Sequence, residues 1–215
     1  MQKIIDTYQD DLLMIYNKDQ LKDQSYNYLA IIRNNVKKQI IDNTITCNYD
    51  EDFESLLNIQ VPDKTRKPAK LLSYTKTLEV LERQCYATIG CIIDKFPYTY
   101  SMNYVMLDGH MYFHTGKNGY KLKALDSIAS VMVVEDLGMA YNGTHNFRSV
   151  QILGRLQENK DKALNTAILQ KYIDKLNPNH APLNDVMLDR TLVYEITFDY
   201  MMGRENLYLP RSCNE

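Results

Sequence analysis

The dipeptide Asp108-Gly109 constrains the fold more than any other pair in the chain. It lies between two runs rich in Tyr, Thr, Met and Val, residues 98–107 and 110–114. A two-residue type I′ turn requires positive φ at both central positions, and Asp-Gly is among the pairs that accept this best. The segment is therefore read as an antiparallel hairpin. The segments around it extend that reading. Residues 85–93 are short, apolar and partly β-branched, and read as a strand ended by a turn at Asp94-Lys-Phe-Pro. Residues 119–128 read as a helix of about two turns, and residues 130–135 as a strand. Residues 147–156 read as another strand, with Gly154 at a bulge or bend. A helix over 160–176, with Leu164, Ile168, Tyr172 and Leu176 on one face, and a last strand over 191–200 complete the series. Strands joined by hairpins, with few long crossovers, predict a mainly β, α+β fold. Its core is an antiparallel sheet closing into a small barrel, not a doubly wound parallel sheet.

The front of the chain reads differently. Ile4, Ile5, Tyr8, Leu12, Ile15 and Tyr16 recur at helical spacing. A second helix is expected over 24–41, with Tyr28, Ile31, Ile32, Val36 and Ile40 on its buried stripe. Asp50-Glu-Asp-Phe-Glu-Ser reads as a short capped turn or helix, with acids at its start. Val61-Pro-Asp-Lys-Thr-Arg-Lys-Pro breaks the pattern as a linker or basic arm, with a helix next over 74–83. Only 8 glycines occur and the first is Gly90. The expected organisation is a helical N-terminal extension over 1–65 and a glycine-punctuated barrel domain over 66–215.

Charge and composition exclude several classes. A net charge of −2 argues against a protein that coats nucleic acid or an acidic membrane. No run approaches the roughly 18 to 20 apolar residues that span a bilayer. The amphipathic start, with acids at Asp6, Asp10 and Asp11, does not resemble a secretion signal. The sequon at Asn142 is then expected to go unused. Cys47, Cys85, Cys91 and Cys213 form no ligand pair, so free thiols in a reducing cytoplasm are expected rather than zinc.

There is no dinucleotide fingerprint, Walker loop, nucleophile elbow or zinc-protease motif. One stretch concentrates polar and Gly residues at a strand–loop–helix junction: Tyr112-Phe-His-Thr-Gly-Lys-Asn-Gly-Tyr-Lys-Leu. Thr115 offers a hydroxyl, the Gly116–Gly119 loop offers backbone N–H groups, and Lys117 and Lys121 offer charge. Together these suit a phosphate. A Gly-rich surface turn with solvated lysines has the same composition.

The segment from Tyr98 to Leu122 resembles the core of the nitroimidazole-resistance family, which belongs to the pyridoxamine 5′-phosphate oxidase-like, FMN-binding split barrels. The shared features are a strand ending in Asn103-Tyr104, a short hairpin, Tyr112-Phe113-His114, a small residue, and Gly116-Lys117 leading onward. Arg148-Ser-Val and Gly154-Arg resemble a later family strand, and Arg66-Lys67 the family's opening basic arm. The resemblance runs over about residues 66–200 and does not reach those before 61. Two departures stand out. The turn after the first strand lacks the family's Gly, and Ser101 replaces a Pro before the Asn-Tyr strand end.

The resemblance implies a homodimer with FMN at the subunit interface. Thr115, Lys117, Gly119 and Lys121 would hold the phosphate. Ser101, Met102, Asn103, Tyr104 and Phe113 would lie beside the flavin, with His114 as the active-site histidine. Arg148 and Ser149 would reach the cofactor of the second subunit. The implied activity is that of a cytoplasmic FMN-dependent oxidoreductase reducing small electron-poor substrates such as 5-nitroimidazoles, with no nucleic acid or membrane partner. The cofactor carries the electrons in such an enzyme, so the lack of a catalytic triad is no argument against one. Two alternatives stay open. One is a split barrel that binds flavin, heme or a drug without turnover. The other is a pyridoxamine 5′-phosphate oxidase-type enzyme, although no basic cluster for a substrate phosphate is evident. Several residues also have plain structural readings. His114 reads equally as a half-buried strand histidine, and Arg148 as one half of a sheet ion pair. His110 belongs to the hairpin turn, His145 to an exposed loop, and the Tyr98, Tyr100, Tyr104 stripe to sheet packing.

Overall fold

The computed structural model describes residues 1–34, 36–62, 67 and 70–208. Arg66, Cys213 and the end of the chain lie outside them. Twelve strands and four α-helices are assigned among the described residues, so the protein is α+β and mostly β. They cluster into two compact units. One contains Met1–Val80, Val134–Val150 and the chain from Tyr200 on; the other contains Leu81–Val133 and Gln151–Asp199.

The first unit corrects the expected helical extension over 1–65. Among its described residues up to 65, only α1 (Gln2–Tyr8) is an α-helix. After it comes a sheet of β1 (Leu12–Asn17), β2 (Tyr28–Ile32), β3 (Ile40–Ile41) and β4 (Thr44–Asn48), in the order β1-β2-β4-β3. Strand β2 pairs antiparallel with β1 and parallel with β4. The physical reason lies in the apolar runs. Leu29, Ala30, Ile31 and Ile32 are all fully buried, so β2 is covered on both faces. A strand covered on both faces reads as an unbroken apolar block, and its spacing also satisfies a helical stripe. Asp42 and Asn43, both at positive φ, then turn β3 into β4. The short helix expected near residue 50 is a single 3-10 turn, Phe53–Leu56. Helix α2 (Tyr74–Arg83) is where it was expected.

The second unit carries the expected hairpin. Asp108 and Gly109 have φ of 51° and 81°, and Leu107 pairs with His110 across them. The hairpin joins β7 (Val105–Leu107) to β8 (His110–Gly116). An equivalent two-residue turn at Asp94-Lys95 joins β5 (Tyr86–Ile93) to β6 (Phe96–Asn103), so Phe96 and Pro97 are strand residues rather than turn residues. β9 (Ile128–Met139), β10 (His145–Glu158), β11 (Thr191–Ile196) and β12 (Tyr200–Asn206) complete the main sheet. Its order is β6-β5-β9-β10-β11-β8-β7, with β12 also on β10. The two outer strands, β6 and β7, are consecutive in the chain with only Tyr104 between them, yet they do not pair. The sheet is thus a barrel left open at one seam, a split barrel. The single strand expected over 191–200 is in fact two, β11 and β12.

Helix α3 (Lys162–Leu176) is capped by Asp161, whose carboxylate accepts from the N–H groups of Ala163 and Leu164 at 2.8 and 3.1 Å. Its Ile168, Leu169 and Tyr172 pack with Val105, Tyr112 and Val193 in one buried cluster. A short helix not expected from the sequence, α4 (Asp185–Arg190), adds Leu188 to that cluster.

Candidate functional site

Strand β8 delivers the expected residues in order. Tyr112 and Phe113 are buried, His114 is half-buried, Thr115 is buried, and Gly116–Gly119 is an exposed loop. The expected two-turn helix after it is a correction: Tyr120–Ala124 forms a 3-10 turn, entered through Gly119 at φ 140°. Leu125 and Asp126 do not continue it. A helix dipole is therefore not part of the site, and its charge rests on side chains alone.

Those side chains differ in a useful way. The Lys123 ammonium donates to Asp94 at 2.6 Å, and Tyr120 donates to the same carboxylate at 3.3 Å. Lys123 also lies 4.9 Å over the Tyr120 ring. Lys117 and Lys121 make no hydrogen bond or ion pair among the described residues. Asp94 thus neutralises one lysine and leaves Lys117 and Lys121 available to an anion.

His114 is the second unusual feature. Its Nδ1 is buried and has no hydrogen-bond partner. The ring meets Tyr172 edge-on, with centroids 4.3 Å apart. The Tyr172 hydroxyl is used elsewhere, 2.8 and 2.9 Å from the carbonyls of Tyr112 and Asn103. Burial, and then the nearby Lys121 charge, push the His114 pKa below its ordinary value. The imidazole is therefore neutral at neutral pH. An unfolded His titrates near 6.5. Below that pH the unfolded chain binds a proton that the folded chain resists, so stability falls as pH drops. His114→Gln is expected to reduce the acid sensitivity of the melting temperature below pH 6.5. Parallel pH profiles for the two proteins would contradict this.

The remaining expected residues divide. Ser101 and Asn103 are exposed on β6, an outer strand whose free edge offers backbone donors and acceptors. The Ser101 hydroxyl shares a hydrogen bond with Thr88 at 3.2 Å, and the Met102 sulfur accepts from Tyr194 at 2.9 Å. Tyr104 follows directly after β6. It is fully buried, its hydroxyl donates to Leu81 O at 2.7 Å, and its N–H to Cys85 O at 3.0 Å. Phe113 is likewise a core ring, stacked 5.3 Å from Tyr194. Both side chains are part of the core. Arg148 lies in the other compact unit, where its guanidinium pairs with Glu135 at 3.2 Å and Glu205 at 3.5 Å. This is the ion-pair reading of that residue. Ser149 comes next on β10, half-buried.

Residues 74–205, well over half of the chain, match the family model for pyridoxamine 5′-phosphate oxidase. The chain belongs to the pyridoxamine 5′-phosphate oxidase family. No curated protein matches it in sequence. Solved structures share the fold of this family member. The flavocytochrome Anf3 from Azotobacter vinelandii is 22% identical with a TM-score of 0.60, covering 70% of this chain and 75% of that one. An FAD and heme binding protein from Mycobacterium smegmatis is 17% identical, TM-score 0.55, covering 67% and 77%. A protein named for 5-nitroimidazole antibiotic resistance, from Bacteroides thetaiotaomicron, is 15% identical, TM-score 0.56, covering 63% and 86%. At these identities the likeness establishes the fold.

One part of the site in this family member was not anticipated. A cavity of about 230 Å3 opens beside His114, lined also by Leu169, Tyr172, Ile173 and Leu176 of α3 and by Leu183 and Met187 at α4. The Asn184-Asp185 pair was the available signal for α4: Asn184 caps it, accepting from Met187 N–H at 3.0 Å. No helix among the described residues is long and apolar enough to cross a membrane, and those residues contain no group of metal-ligating side chains.

Proposed function

We propose that the protein is a flavin-dependent oxidoreductase that binds FMN along β6 and the 115–121 loop, and reduces small electron-poor molecules such as 5-nitroimidazoles. The observation that carries this reading is the pair of unpartnered lysines, Lys117 and Lys121, around an exposed Gly loop next to a neutral, unpartnered His114. The donor set fits the group. Two free ammonium groups and the Thr115 hydroxyl suit a phosphate, and the open edge of β6 at Ser101–Asn103 suits the polar rim of a flavin. Bound there, FMN would supply the electrons. The chain's own residues then have limited tasks: the lysines hold the phosphate, β6 orients the ring, and His114 presents one neutral nitrogen to the substrate. Family membership supports the reading, as do relatives of the same fold that are named for flavin binding.

The proposal includes a homodimer with the cofactor at its interface. On the outer face of the second unit, Ser101, Thr88 and Met132 are cross-strand neighbours. Tyr86, Ile92 and Ile128 are 57%, 58% and 69% exposed nearby on the same strands. A second copy seated there would cover an apolar face that contains the flavin-facing edge. The organisation suits a cytoplasmic protein.

An absorbance spectrum of fresh protein, with mass spectrometry of the material that denaturation releases, tests the cofactor. A flavin spectrum, or saturable uptake of added FMN, is expected. Protein that shows neither would end this reading. Anaerobic mixing of the reduced protein with a 5-nitroimidazole tests turnover. Substrate-dependent reoxidation is expected, and its absence would leave a binding protein without enzyme activity. Sedimentation of FMN-loaded protein as a monomer would remove the interface from the proposal.

A further inference from the structure

We propose that the cavity beside His114 is a selective pocket for one uncharged ring that carries a hydrogen-bonding group. As a substrate pocket it rests on the flavin reading above; as a ligand pocket it does not. Its lining contains no Asp, Glu, Lys or Arg. A charged ligand entering it would lose its hydration and find no counter-charge in the wall. Five of the ten lining residues are apolar, Leu169, Ile173, Leu176, Leu183 and Met187, and the Asn177 amide is among the polar ones.

The polar atoms of that wall are mostly committed. The Tyr172 hydroxyl is held by two main-chain carbonyls, and Thr191 donates to Met187 O at 2.8 Å. His180 Nδ1 faces the carbonyl of Ala181. The buried nitrogen left without a partner is His114 Nδ1. A ligand group that hydrogen-bonds the Asn177 amide, or reaches the unpartnered His114 nitrogen, gains a hydrogen bond that the empty wall lacks. Size sets the rest. An apolar cavity of about 150 Å3 accepts a benzene. A volume of about 230 Å3 accepts one ring with a small substituent. It lies below the roughly 300 Å3 at which drug-sized sites begin. The phosphorylated substrate after which the family is named is charged, and this pocket gives it no partner.

Benzyl alcohol, benzoate, benzylamine and pyridoxamine 5′-phosphate are suitable probes. Each would be titrated against the full-length protein with and without added FMN, by calorimetry and ligand-observed NMR. Benzyl alcohol is expected to bind saturably, and the three charged probes at least tenfold more weakly. His114→Phe and Asn177→Leu together should weaken benzyl alcohol severalfold by removing the hydrogen bond. Ile173→Trp should abolish its binding by filling the space. Leu183→Trp provides a second filling variant should the first fold poorly. Benzoate or benzylamine binding as tightly as benzyl alcohol would overturn the proposal. So would benzyl alcohol binding unchanged by both filled variants, or no saturable binding at all. If the charge selectivity holds but FMN does not bind, the flavin reading fails and the pocket stands. If FMN binds and benzyl alcohol does not, the pocket fails alone.

Discussion

Replacing Gly154 with alanine is expected to lower the melting temperature by about 10 °C or more, the largest stability effect of any single methyl group in the second unit. A Cβ at this position would stand 1.7 Å from the carbonyl oxygen of Thr197 and 2.7 Å from its carbon. The obstacle is main chain, so a rotamer change cannot relieve it. Nor can Thr197 retreat easily. Its N–H donates to Arg155 O at 3.0 Å, its hydroxyl accepts from Arg155 N–H at 2.7 Å, and Asp199 N–H donates to Leu153 O at 3.0 Å. Three hydrogen bonds therefore hold this close approach on both sides of Gly154. The register of β10 on β11, Leu156 opposite Ile196, begins directly beyond it. Forcing extra atoms into a packed site costs about 1–3 kcal/mol, and more where the backbone must move. For a chain of this size each 1 kcal/mol is worth about 2–4 °C. Gly116→Ala is the matched control, because nothing lies within 4 Å of its Cβ position and its φ is not positive. A Gly154→Ala protein melting within about 2 °C of the parent would show that the strands part more easily than the contacts imply.

Gly154 also shows what the sequence made legible. Its position within an apolar strand pattern pointed to a special backbone site, but the reason was a neighbouring main chain far away in sequence. Features set by two or three adjacent residues were readable: the Asp108-Gly109 hairpin, the α2 span, and the strand that carries Tyr112, Phe113 and His114. All depend on local φ/ψ or on order along one strand. Features set by what packs on both faces were not readable. The blocks Leu12–Tyr16 and Leu29–Ile32 fit a helical stripe and a doubly covered strand equally well, and only the sheet partner decided between them. The burial of the Tyr104 ring was hidden for the same reason: the chain turns there from β6 to β7 and packs the ring inside. The His114 cavity escaped the sequence because α3 and α4 build it from residues with no motif of their own.

Lys121→Ala is expected to weaken FMN binding by about 10- to 100-fold, and Lys117→Ala, Lys121→Ala together by about 100-fold or more. A hydrogen bond to a charged group is worth about 1.5–3 kcal/mol, and each 1.4 kcal/mol is a factor of ten. The prediction depends on both ammonium groups being free, which separates them from a third lysine in the same loop. Lys123 is already bound to Asp94, and that contact raises its pKa while lowering that of Asp94. Lys123→Ala should therefore change FMN affinity by less than about threefold, although it alters the net charge as much as Lys121→Ala. The comparison distinguishes a specific phosphate contact from a diffuse positive field. A field would respond to all three substitutions alike and would be screened alike by salt. Lys121 has a second readout. Its charge helps to depress the His114 pKa, so removing it should raise the His114 titration midpoint measured by NMR on flavin-free protein. Unchanged FMN affinity in the double variant would remove the phosphate role from this loop. An unmoved His114 midpoint would show that Lys121 does not reach the histidine, and the anion site and the His114 pocket would then have to be treated as separate.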